Sequence, residues 1–115
     1  MKNLTYNEFN NIFDTEDNYV NNKPIVLDFS AVWCAPCKMM LPIVTEFSET
    51  YEGKVDIYKV DVDEEQELSS KFGIRSVPTF IFIDKNGEQK RVSGSMSKES
   101  FKSLIDGLLE EKEVI

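Results

Sequence analysis

The chain has 115 residues, with 13 basic and 21 acidic groups, no histidine and a formal charge of −8. That length makes one domain over residues 1–115 the expectation, with a core that needs no disulfide staples, and the acidic balance argues against nucleic acid or an anionic membrane as partner. No apolar run approaches the ~20 residues of a spanning helix, and Met1–Tyr6 lack the apolar segment of a secretory signal, so a reducing, cytoplasmic setting is expected.

Thr5 and Glu8 have the spacing of a capping box, and Leu4, Phe9, Ile12 and Phe13 make an apolar stripe. A short helix is therefore predicted over residues 5–14. The polar, Asn-rich segment Asp17–Lys23 reads as a loop closed by Pro24. Ile25–Phe29 is a nearly continuous apolar run, as in a parallel strand covered on both faces, and Asp28 is the exception within it. A helix is predicted from Cys34 to about Tyr51, with Met40, Leu41, Val44 and Phe47 turned inward and a kink at Pro42.

Val55–Val62 is the next predicted strand. Asp63 is placed as the cap of a short helix that ends at Lys71 before Gly73, with Glu64, Glu65 and Glu67 in its first turns. A calcium loop starting at Asp61 is excluded, because Gln66 stands where the glycine belongs and Phe72 where the bidentate Glu belongs. Val77-Pro78 opens a strand over Thr79–Ile83, Asp84-Lys85-Asn86-Gly87 turns it, and Glu88–Ser93 returns as a hairpin broken by Gly94. Ser97 caps a last helix carrying Phe101, Leu104, Ile105, Leu108 and Leu109 at helical spacing. This order of elements predicts an α/β fold: a mixed central β-sheet flanked by helices on both faces.

Both cysteines lie in Trp33-Cys34-Ala35-Pro36-Cys37-Lys38, at the turn from the first apolar strand into the long helix. Two intervening residues let the sulfurs meet, and a helix N-terminus favours negative charge on the first thiol. That arrangement suits the breaking and making of disulfides. A lone Cys-x-x-Cys is also compatible with a buried structural pair or half a zinc site. One copy of the chain cannot complete a tetrahedral N/S site, having no histidine and no third cysteine, so a zinc ion would have to bridge two copies.

Further features are spread along the chain: Asp28-Phe29, Pro42, Lys59-Val60-Asp61, Phe72-Gly73-Ile74-Arg75-Ser76-Val77-Pro78-Thr79, Asn86-Gly87-Glu88 and Gly94. With the cysteine motif, they make the chain resemble the thioredoxin family over essentially its whole length. The resemblance implies the thioredoxin fold and a general protein-disulfide reductase that maintains cell redox homeostasis. It implies no bound cofactor, a redox-active Cys34–Cys37 disulfide, and electrons from NADPH delivered by a flavin-dependent thioredoxin reductase. Partners would be that reductase and disulfide-containing protein substrates, and a monomer is the simplest expectation. Three positions depart from the usual family pattern. Ala35 replaces the glycine between the cysteines, Ser30 stands where many bacterial members carry a second tryptophan, and Ser93 stands where an apolar residue commonly flanks Gly94.

Cys34 is the expected nucleophile, its thiol lowered from about 8.5 by the helix terminus. Pro36 has no N–H to donate to the sulfur, so the thiolate is stabilised less and the protein is expected to be reducing. Pro36 is also an ordinary helix-start proline. Cys37, one turn in, is the expected resolving thiol. With no histidine in the chain, Asp28 is the candidate proton acceptor, its pKa raised by burial, and Lys59 on the neighbouring strand modulates it. A buried Asp–Lys pair with a purely structural role is the competing reading. The resemblance also implies a cis Val77–Pro78 bond beside the cysteines. Trp33, Ala35, Pro36, Val77, Pro78, Ser93 and Gly94 are the expected substrate contacts. Two other functions share these features: a protein disulfide isomerase or oxidant on the same fold, and a non-catalytic binding module.

Overall fold

The structure, a computed structural model, describes residues 1–16 and 18–110. Asp17, the first residue of the predicted loop, lies outside them, as does the end of the chain from residue 111. Among the described residues nine elements follow in order: β1 (Lys2–Asn3), α1 (Tyr6–Ile12), β2 (Ile25–Ser30), α2 (Ala35–Thr50), β3 (Asp56–Asp61), α3 (Gln66–Lys71), β4 (Thr79–Ile83), β5 (Gln89–Ser93) and α4 (Lys98–Leu108). The strands form one sheet in the order β1-β3-β2-β4-β5. β3 runs parallel to both β1 and β2, whereas β4 is antiparallel to β2 and β5 to β4. The predicted mixed sheet with helices on both faces is what forms.

β2 is buried along its whole length and sits between β3 and β4. Successive side chains of a strand leave opposite faces. Ile25, Leu27 and Phe29 join Leu4, Phe9, Ile12, Phe13 and Leu68 on the side of α1 and α3. Val26 joins Met40, Val44, Phe47, Phe80, Phe82, Phe101 and Ile105 on the side of α2 and α4. Phe101 is the hub of that second layer: its ring stacks on Phe47 and meets Phe80 and Phe82 edge-on, with centroids 5.3–5.7 Å apart.

Local chemistry sets the helix ends. The Thr5 hydroxyl accepts from the Glu8 amide at 3.3 Å and Ser97 accepts from the Ser100 amide at 3.1 Å, so both predicted caps are made. α2 continues through Pro42, which leaves the Lys38 carbonyl without its helical donor. Gly87 has φ +86°, and a Cβ there would come within 3.0 Å of the Tyr19 side chain, so the hairpin turn requires glycine on two counts.

The structure corrects several sequence expectations. β1 was not predicted, since Lys2-Asn3 carries no strand pattern; pairing with Tyr58 and Lys59 creates it. Asp63 does not cap α3. Asp61 Oδ1 instead accepts from the amides of Asp63 and Glu64 at 2.8 and 3.2 Å, and the helix starts later, at Gln66. Leu41 is exposed rather than inward, because Met40, Val44 and Phe47 already occupy the inner stripe. Leu109 falls just beyond α4 and is exposed.

Candidate active site

Cys34 is the N-cap of α2, with φ −89° and ψ 111°. Its sulfur takes the place of a capping hydroxyl and accepts from the Cys37 amide at 3.2 Å. An amide N–H and the positive end of a sixteen-residue helix thus both point at Cys34 Sγ, which is the electrostatics that favour a thiolate there. Ala35 and Pro36 form the exposed first turn between the two cysteines. Cys34 and Cys37 are joined as a disulfide, with Cα atoms 5.2 Å apart. Both sulfur-bearing residues are buried, Cys34 at 4% exposure and Cys37 at 7%.

The two sulfurs have different surroundings. Cys34 Sγ lies 3.7 Å from the carbonyl oxygen of Val77. The Val77–Pro78 bond is cis, Pro78 is buried, and the Pro78 carbonyl accepts from the Gly94 amide at 2.8 Å. Gly94 has φ +92° and open space where a Cβ would stand, so backbone conformation selects glycine there. Ser93 is exposed, and its hydroxyl lies 3.2 Å from that of Thr79. Trp33 is 67% exposed, yet its Nε1 donates to Asp63 Oδ2 at 2.8 Å. That bond pins one edge of the ring and leaves a broad apolar face beside Cys34.

Cys37 faces the other way, onto a cleft of about 220 Å³ whose walls include Asp28, Ser30, Lys38, Leu41 and Lys59. Asp28 is 4% exposed. Burial pushes its carboxyl up to about 7, against the weaker opposing pull of Lys59. Lys59 is the residue paired with Asp28 across the β2–β3 ladder, so its ammonium leaves the same face of the sheet. A carboxyl held near neutrality beside a thiol is able to take and return a proton at physiological pH.

Sequence reasoning brought forward the cysteines, Asp28, Lys59, Trp33, Val77, Pro78, Ser93 and Gly94; the structure places the cysteines, Asp28, Lys59 and Val77 about the start of α2, with Gly94 bonded to Pro78 and Ser93 beside Thr79 on the adjoining segments. It missed Asp63 as the anchor of Trp33, because nothing in the sequence says that the loop after β3 folds across the indole. Leu41, assigned to the core, rims the cleft instead. Among the described residues no group of acidic and cysteine side chains is arranged to hold a metal ion, and no helix is long and apolar enough to cross a membrane.

Two cysteines bonded across a helix start, with a carboxyl lifted toward neutrality behind the second, suit the chemistry of a dithiol–disulfide oxidoreductase. The sequence model of the Thioredoxin family matches residues 1–107. The thioredoxin of Borreliella burgdorferi is 41% identical over 92 residues, covering 80% of this chain and 79% of its own. That of Rickettsia bellii is 47% identical over 83 residues, covering 72% and 76%. That of Alicyclobacillus acidocaldarius is 39% identical over 89 residues, covering 77% and 85%. The chain belongs to the thioredoxin family, and its activity is that of a protein-disulfide reductase.

Proposed function

We propose that Cys34 is the attacking thiol, Cys37 the resolving thiol and Asp28 the acceptor of the Cys37 proton, with Lys59 modulating the charge on Asp28. The carrying observation is the division of surroundings: Cys34 Sγ faces the Cys37 amide and the Val77 carbonyl, while Cys37 faces the Asp28 cleft. Cys34 thiolate attacks one sulfur of a substrate disulfide and expels the other as a thiolate. Cys37 then gives its proton to Asp28 and attacks Cys34 Sγ. The Cys34–Cys37 bond forms, the bond to the substrate sulfur breaks, and the substrate leaves as its second thiolate. The substrate disulfide gains two electrons and the protein dithiol loses two.

The substrate would lie as extended chain against Trp33, Ala35, Pro36, Val77, Pro78, Ser93 and Gly94, with backbone pairing at Val77 that reads little sequence. Recharging by a flavin-dependent thioredoxin reductase drawing on NADPH completes the cycle. A cytoplasmic setting suits a pair that must return to the dithiol each turn. Action as a monomer is the simplest reading.

The deciding measurement is the reduction potential of the pair, read through Trp33 fluorescence in dithiothreitol or glutathione buffers. A general thioredoxin-type reductant sits near about −270 mV, whereas a value of about −180 to −120 mV would indicate an isomerase or oxidant. Cys34→Ser is expected to abolish substrate reduction. Persistent reduction in that variant would overturn the assignment, and the absence of any two-electron transition in the unsubstituted protein would point to a binding module.

A further inference from the structure

Ser30 ends β2 at 3% exposure. Its Oγ is the one buried side-chain oxygen or nitrogen among the described residues that has no hydrogen-bond partner. Interior hydroxyls are rarely left so, because losing water without gaining a partner is costly. This one borders the same cleft as Asp28, Cys37 and Lys59. At about 220 Å³ the cleft has ample room for water, since one molecule needs about 10–15 Å³ and two or more polar partners.

The strand fixes the geometry. Asp28 and Ser30 are alternate residues of β2, so their side chains leave the same face from Cα atoms about 7 Å apart. No direct hydrogen bond joins them. One water accepting or donating at about 2.8 Å on either side spans that gap. The charged and titratable groups facing Asp28 are Lys59 from β3 and Cys37 and Lys38 from α2; from β4 the residue opposite is the apolar Phe80.

We propose that Ser30 is a positioning residue of the resolving step, its hydroxyl holding the water that carries the Cys37 proton to Asp28. The inference rests on the reading of Cys37 as resolving thiol and Asp28 as proton acceptor. The water takes the proton of Cys37 Sγ and passes one to the Asp28 carboxylate, so it emerges unchanged. Cys37 Sγ bonds to Cys34 Sγ, and the substrate sulfur leaves with the electron pair of the broken bond. Ser30 itself gains and loses nothing.

The test uses the reduced, full-length protein and 5,5′-dithiobis(2-nitrobenzoate). The first thionitrobenzoate released reports attack by Cys34, and the second, unimolecular release reports resolution by Cys37. A positioned proton acceptor is worth about 100-fold or more, so losing its relay in Ser30→Ala should slow the second phase about tenfold near neutral pH. The deficit should narrow toward about pH 9, where Cys37 ionises without help. The first phase should not change. Ser30→Thr, which keeps the hydroxyl, should run within about twofold of the unsubstituted protein at every pH, by the same reasoning. Asp28→Asn in parallel separates the two readings. Slow resolution in Asp28→Asn with normal resolution in Ser30→Ala overturns the role of Ser30 and leaves Asp28 standing. Normal resolution in Asp28→Asn overturns both, since a bridge needs its two ends. Equal slowing of both phases in Ser30→Ala, unrescued by threonine, marks a packing defect and also overturns the proposal.

Discussion

The two faces of β2 are built from alternate residues of one strand and end up with opposite characters. One face, Ile25, Leu27 and Phe29, is hydrocarbon throughout and is closed by α1 and α3. The other begins the same way at Val26 but turns polar at Asp28 and Ser30 as it nears the start of α2. The strand therefore fastens the fold with one side and equips the redox turn with the other. Burial stabilises the first side, and the same burial lifts the Asp28 carboxyl toward neutrality on the second.

The contrast can be broken from either side. Phe29→Ala removes a fully buried ring from the hydrocarbon face, and a loss of about 3–5 kcal/mol in denaturant unfolding is expected, with the pH profile of resolution unmoved. A shift in that profile would mean that the two faces are not independent. Asp28→Asn should act with the opposite sign. The folded carboxyl holds its proton up to about pH 7, while the unfolded one releases it near 3.8. Stability from this group is thus complete below pH 3.8 and is lost as pH rises through 7. The oxidised Asn variant should be more stable than the unsubstituted protein by up to about 4 kcal/mol at pH 8, and the advantage should vanish near pH 3.5. An advantage that does not depend on pH would rule out a raised carboxyl. Ser97→Ala, which uncaps α4, should cost about 1 kcal/mol and leave the reduction potential unchanged. A changed potential there would show that α4 reaches the sulfurs.

The architecture was legible wherever a run of side chains announced its own environment. Residues 25–29 read as a strand covered on both faces because almost every position is apolar, residues 79–83 read as a strand, and the turn at Asp84–Gly87 between it and its hairpin partner had strong chemistry. β1 was illegible because only its partner β3 makes Lys2-Asn3 a strand. The start of α3 was misread because two aspartates compete at that turn: Asp61 takes the free amides and Asp63 is drawn away to the Trp33 indole. At the site, Asp28 stood out as a charge inside an apolar run, and its partner Lys59 followed from strand order. Ser30 stood out only as a departure from the family pattern, with no part in proton transfer attached to it. A serine after an apolar run looks like the end of a strand, and only the cleft beside it gives the hydroxyl a task.

The sheet ends on one side in β1, two residues long, and on the other in β5, whose Lys90 and Arg91 are exposed. Unpaired strand borders invite other chains to add themselves, and very short or charged borders discourage it. If substrates pair as extended chain with the loop at Val77, as proposed, a protein that binds them repeatedly is exposed to their aggregation. With one border only two residues long and the other charged, the sheet itself discourages strand addition, which would leave the proposed pairing at Val77 without a competing site along its edges.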